Sequence, residues 1–130
     1  MPHLFLEDLE GYSEDEVKQH LLQYYASTGG VDDGMIASYL DAHDVMIAYE
    51  SLGAFGCDST AHFLFRHKIT GEYQELMASH FSDCGFDGQF EPQDVSLDFL
   101  KSNRFRLKYG GYDEYPNRNR QSVDAFIDSL

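Results

Sequence analysis

Val45-Met46-Ile47-Ala48-Tyr49-Glu50-Ser51-Leu52 is followed closely by Ala61-His62-Phe63-Leu64-Phe65-Arg66-His67-Lys68 and then by Tyr73-Gln74-Glu75-Leu76-Met77-Ala78-Ser79. These runs are rich in β-branched and aromatic residues, which fit a pleated, half-buried surface. In the first, Val45, Ile47 and Tyr49 alternate onto one face. In the second, Ala61, Phe63 and Phe65 share one face, with His62, Leu64 and Arg66 on the other. The joins, residues 53–58 and 69–72, are too short for a parallel crossover, so the three runs are predicted to form an antiparallel meander.

Helices are predicted to flank this meander. Ser13 and Glu16 have the S-x-x-E spacing of a capping box, and Glu14, Asp15 and Glu16 place negative charge where the helix dipole favours it. Val17, Leu21, Leu22, Tyr24 and Tyr25 follow at helical spacing until Gly29-Gly30, which predicts a helix over 14–27. Asp32 or Asp33 caps a second helix, with Met35, Ile36, Tyr39 and Leu40 as its apolar stripe. Leu4 and Leu6 alternate as a short edge strand. After the meander, residues 81–92 read as an aromatic loop, with Phe86 and Phe90 as plugs. A helix is predicted from Gln93 or Asp94 to Ser102. The alternation of Phe105, Leu107 and Tyr109 predicts a fourth strand over 104–109, and a last helix covers 122–130. The expected fold is therefore α+β: an antiparallel sheet of three to four strands packed with N-terminal and C-terminal helices, in one domain spanning 1–130.

The composition, 42% hydrophobic and 15% aromatic over 130 residues, allows a core without a disulfide or metal staple. No run approaches the roughly 20 apolar residues of a membrane span, residues 1–10 lack the pattern of a signal peptide, and two cysteines are too few for a secreted disulfide scaffold. A cytoplasmic protein is expected. The formal net charge is −14 and is unevenly spread. Residues 1–65 hold one basic residue, Lys18, against twelve acidic ones, and residues 66–130 hold eight basic against eleven acidic. Such a field repels nucleic acid and anionic membranes and attracts basic protein surfaces. The expected partner is a basic surface on a host protein or ribonucleoprotein, with no direct nucleic-acid or membrane contact.

The segment from residue 79 to 92 contains Ser79, His80, Gly85, Asp87, Gly88, Gln89, Phe90, Glu91 and Pro92. With the strands before it and the helix after it, this segment resembles a group of small, acidic, mostly uncharacterised proteins of phages and mobile elements. These share a Ser-His strand end and a Gly-x-[acid]-Gly-Gln-aromatic-Glu-Pro loop. The resemblance covers residues 45–100 at most. The cysteines such proteins often carry shortly after the Ser-His are replaced here by Phe81 and Asp83, with Cys84 offset. The resemblance implies an inhibitor of a host nucleic-acid-handling defence complex, such as a CRISPR effector, whose basic groove an acidic protein occupies by mimicry.

Four sets of residues carry candidate chemistry. Cys57, His62, His80 and Cys84 have the donor types of tetrahedral zinc, in the spacing C-x4-H and H-x3-C, and a turn near Thr70 would bring 62 close to 78 and 60 close to 80. These spacings match no zinc ribbon or finger, and buried cysteines with strand histidines are the commoner arrangement. No zinc or other cofactor is therefore expected. A thiol nucleophile using Cys84 or Cys57 with His80 lacks any recognisable signature. Acid–base pairs among Asp32, Asp33, Asp41, Asp44, Glu91 and Asp94 are what 23 acidic residues produce by chance. The acidic clusters remain: Glu7, Asp8, Glu10, Glu14, Asp15 and Glu16, then Asp32, Asp33, Asp41 and Asp44. Carboxylates on adjacent helices can imitate a phosphate track that Arg-rich grooves recognise. These ten are the expected partner-binding residues of a non-catalytic inhibitor. The alternatives are a small zinc or thiol enzyme and a self-assembling module.

Overall fold

The computed structural model describes residues 3–25, 33–51, 60–82, 85–87, 90–110 and 116–130. Its elements are β1 (Leu4–Glu7), α1 (Glu14–Tyr25), α2 (Asp33–Ala42), β2 (His43–Ser51), β3 (Thr60–His67), β4 (Tyr73–Ser82), β5 (Gly85–Asp87), β6 (Gln93–Val95), α3 (Leu97–Lys101), α4 (Asn103–Gly110) and α5 (Arg120–Asp128). The fold is α+β, and the meander is present. β2 pairs antiparallel with β3 from His43 opposite His67 to Ser51 opposite Thr60, and β3 with β4 from Thr60 opposite Ser79 to Arg66 opposite Tyr73.

The sheet is larger than expected. Five strands lie abreast in the order β1-β2-β3-β4-β5, and β6 shares the outer edge of β4 with β5. The short N-terminal strand does form an edge, but it runs parallel to β2, with Leu4 opposite Ile47 and Glu7 opposite Glu50. A parallel pairing needs a long crossover, and α1 and α2 supply it.

Two cores result. On one face α1 and α2 pack Val17, Leu21, Ile36 and Leu40 against Phe5, Val45, Ala48, Ala61, Phe63, Phe65 and Leu76. On the other, α3, α4 and α5 pack Leu100, Phe105, Tyr109, Val123 and Ile127 against Leu6, Met46, Ile47 and Leu64. β2 serves both through a bulge: Val45 pairs with Phe65 and Ile47 with Leu64, leaving Met46 as the extra residue. Val45 therefore belongs to the α1–α2 core and Ile47 to the other, which corrects the expectation that Val45, Ile47 and Tyr49 share a face. Beyond the bulge, Ala48 faces α1 and α2.

The C-terminal half departs most from the sequence reading. Residues 104–109 are helix, not strand. Phe105 and Tyr109 alternate with Leu107, but they are also four apart, and both are fully buried on one side of α4. The outer edge of β4 is already occupied by β5 and β6. The helix expected from residue 93 starts at Leu97 instead, because Ser96 is the cap: its Oγ accepts the Phe99 N–H at 3.1 Å. Residues 93–95 are strand. The loop expected over 81–92 contains β5, and Phe90 is buried against Tyr39 and Phe65. The Tyr39 hydroxyl donates to Gln74 at 2.7 Å, and the Gln74 amide donates to Asp94 at 2.7 Å, a chain linking α2, β4 and β6. The last helix begins two residues earlier than expected, at Arg120.

Deleting Met46 removes the bulge but leaves Val45 opposite Phe65 and Ile47 opposite Leu64 in regular alternation, so both halves of β2 keep their cores and only the Met46 side chain is lost. The deletion variant is expected to keep cooperative thermal unfolding and, like Met46→Ala, to lose about 2–5 kcal/mol, as truncation of a buried methionine does. A deletion variant that no longer unfolds cooperatively, while Met46→Ala does, would show that Met46 is not the extra residue of the strand.

Candidate functional site

The acidic helices are built as the spacing suggests. Ser13 donates its N–H to Glu16 Oε1 at 3.1 Å and its Oγ accepts the Glu16 N–H at 3.1 Å, a complete capping box. Glu14 reaches Lys18 one turn on at 3.4 Å. Val17 and Leu21 anchor the inner side of α1, which turns Asp15, Glu16 and Gln19 to solvent. Two hollows flank this ridge. Tyr12, Asp15, Glu16, Gln19, His20 and Gln23 line one of about 440 Å³. The other, about 280 Å³, lies between α1 and α2, where Asp15 and Lys18 face Leu40 and Asp41.

The ten carboxylates expected to bind a partner divide into groups. Asp15 and Asp41, on different helices, are brought to one groove, Glu16 is exposed next to Asp15 in the chain, and Asp8 is exposed in the turn after β1. Asp44, half-buried on β2, is opposite Arg66 across the ladder. Glu7 and Glu10 are turned to the C-terminal segment. Arg118 donates from Nε to Glu7 Oε1 and from Nη2 to Glu7 Oε2, each at 3.2 Å, and reaches Glu10 at 3.4 Å. The buried Asn119 donates to Glu7 Oε1 at 2.7 Å. The Arg118 and Asn119 hydrogen bonds hold the Glu7 carboxyl below the usual range. Glu7 sits at φ +55°, a left-handed conformation uncommon outside glycine, at the point where the chain leaves β1. Asp33 opens α2, and Asp32 lies outside the described residues.

The helical layers differ in charge. α1 and α2 together carry five acidic residues against Lys18. α3, α4 and α5 carry five basic residues, Lys101, Arg104, Arg106, Lys108 and Arg120, against three acidic ones. Arg106 is paired within its layer, to Asp124 at 3.1 Å and to Asp128 at 2.6 Å, and Arg120 also reaches Asp124 at 3.1 Å.

The zinc set is not assembled by what the structure describes. Cys57 and Cys84 fall outside the described residues, as does the His80 side chain. The β3–β4 register puts Met77 opposite His62 and Ser79 opposite Thr60, one residue from the expected pairing. His62 packs edge-on against Tyr49 and Tyr109, with ring centroids 6.0 and 5.3 Å apart. Among the described residues no group of three or more His, Cys, Asp or Glu side chains is placed to hold a metal ion.

Sequence reasoning missed Glu50 and His20. Glu50 is 3% exposed within β2, and its Oε2 meets His20 Nε2 of α1 at 2.7 Å. A carboxylate inside an apolar strand was the available signal, because burial of such a group demands a partner. Comparison with known proteins adds no relative: no family model, curated protein or solved structure matches the chain. Among the described residues no helix is long and apolar enough to cross a membrane.

His20→Ala takes the imidazole from a buried carboxylate, and hydrogen bonds to charged groups contribute roughly 1.5–3 kcal/mol. A double-mutant cycle with Glu50→Ala, read by urea denaturation, is expected to give a coupling of about 1–3 kcal/mol. Additive losses would show that the pair contributes nothing to holding α1 on the sheet.

Proposed function

We propose that this chain is a non-catalytic, phage-type inhibitor that works in the host cytoplasm. It docks its α1–α2 face onto the basic surface of a nucleic-acid-handling defence complex, in the manner of an anti-CRISPR protein that mimics nucleic acid. The observation that carries the reading is the sorting of charge between layers. Asp15 and Asp41 line one groove on the α1–α2 side beside Lys18, with Glu16 exposed on the same helix, while the other five basic residues of the helices belong to the opposite layer. A guanidinium or ammonium approaching α1 meets carboxylates and the negative summed field of a chain at −14. The resemblance of residues 79–92 to small phage proteins supports the biological setting.

Tagged protein incubated with bacterial lysate at low and high salt tests the reading, with bound proteins identified by mass spectrometry. A nucleic-acid-binding complex captured at low salt and released at high salt is the expected outcome, since surface charge contacts are screened by ions. The double reversal Asp15→Lys, Asp41→Lys is expected to weaken that capture at least tenfold and to flatten its salt dependence. Asp98→Lys, an exposed change on α3, leaves it within about twofold. Equal capture by both variants would overturn the docking face, and recovery of the chain alone would overturn the inhibitor reading for that host.

A further inference from the structure

The C-terminal end of α2 meets the β3–β4 turn at two imidazoles. His43 opens β2 and is 7% exposed, with its Nδ1 2.6 Å from the Tyr39 carbonyl oxygen of α2. A carbonyl only accepts, so Nδ1 carries the proton and Nε2 the lone pair. His67 closes β3 directly opposite His43. Its Nδ1 receives the Ile69 N–H at 3.1 Å and the Thr70 N–H at 3.2 Å. Only a lone pair accepts, so His67 carries its proton on Nε2. The backbone thus selects opposite tautomers for rings that meet edge to face at 4.9 Å and 83°. The Lys68 N–H, donated to the Ala42 carbonyl at 3.0 Å, spans the same junction.

We propose that His43 and His67 form a proton-operated latch that closes when both rings are neutral and holds the end of α2 to the β3–β4 turn. A second proton on His67 must enter at Nδ1, where two backbone N–H groups already point, and it drives both away. A second proton on His43 creates a buried cation stacked 3.9 Å from the Tyr39 ring. The surroundings of His43 are mixed. Burial, His67 on β3 and Lys18 on α1 oppose its charge, while the Tyr39 carbonyl on α2 and Asp44 on β2 favour it. Burial is the largest of these and holds His43 below the ordinary imidazole range. The native state therefore binds fewer protons than the unfolded chain just below the ordinary imidazole value of about 6.5. The latch contributes fully above that pH and is lost as pH falls toward the depressed value. The latch needs no partner, though it holds the end of the helix that carries Asp41.

Long-range proton–nitrogen correlation spectra of the uniformly labelled, full-length protein read both tautomers directly. At pH 7.5 the expected result is a neutral His43 protonated on Nδ1 and a neutral His67 protonated on Nε2. Between pH 7.5 and 5, after correction for intrinsic exchange, the Ile69 and Thr70 amides should lose at least tenfold protection, while those of Phe63 and Leu64 keep theirs. His67→Asn offers an acceptor that does not titrate and should abolish that response. If this variant does not fold, the tautomers of the unaltered protein decide. The latch is refuted by an Nδ1-protonated His67 at pH 7.5, or by unchanged Ile69 and Thr70 protection once both rings are charged.

Discussion

β2 and β3 are buried on both faces, and every other element is placed by that requirement. A strand covered on one side reads as strict alternation, but one covered on both needs apolar residues at nearly every position. Val45, Met46, Ile47 and Ala48 are all buried in sequence. The bulge at Met46 decides which of them serves which core, and it sets His43 and Val45 on the same side as Ala48 despite the odd spacing. The helices then follow by supply. α1 and α2 come from the crossover that a parallel β1 demands, and the chain after β6 must provide the second cover.

The polar contacts between layers are few in kind, and each closes a junction that apolar packing alone would leave loose. Glu50 with His20 ties α1 to the sheet, and Tyr39 with Gln74 and Asp94 ties α2 to β4 and β6. Arg118 and Asn119 tie the end of β1 to the entry of α5. Hydrophobic burial is non-directional and fixes that the helices cover the sheet, whereas hydrogen bonds with named donors and acceptors fix where along it they sit. The Tyr109 hydroxyl is the exception: it is buried and lacks a hydrogen-bond partner among the described residues, and its ionisation is pushed far up by burial.

The meander, the capping box and the α+β class were legible because each rests on local signals: period, turn length and a three-residue spacing. The α4 segment was not, because Phe105 and Tyr109 satisfy both a strand and a helix pattern, and only the occupied edge of β4 decides between them. β6 was lost for a related reason. Gln93, Asp94 and Val95 have the composition of a helix start, and their strand form exists through pairing with Tyr73, Gln74 and Glu75. Of the ten acids expected to meet a partner, the grouping of Asp15 with Asp41 follows from helix packing that no spacing encodes. The engagement of Glu7 by Arg118 joins residues 111 apart, which a charge count along the chain treats as independent.

That engagement changes what the net charge means. A formal −14 suggests carboxylates available everywhere, yet Arg106, Arg118 and Arg120 are drawn to Glu7, Glu10, Asp124 and Asp128 in and beside the C-terminal layer. The arginine pairings therefore neutralise carboxylates on that side. The α1–α2 layer has one cation, Lys18, and Glu14 holds it. The two helical layers therefore differ, with a net −4 on α1 and α2 against +2 on α3, α4 and α5, and the difference arises from where the arginines were placed as much as from where the acids were. A difference in charge between two layers on opposite faces of a sheet gives the field a direction, and a directed field orients a charged body before any contact forms.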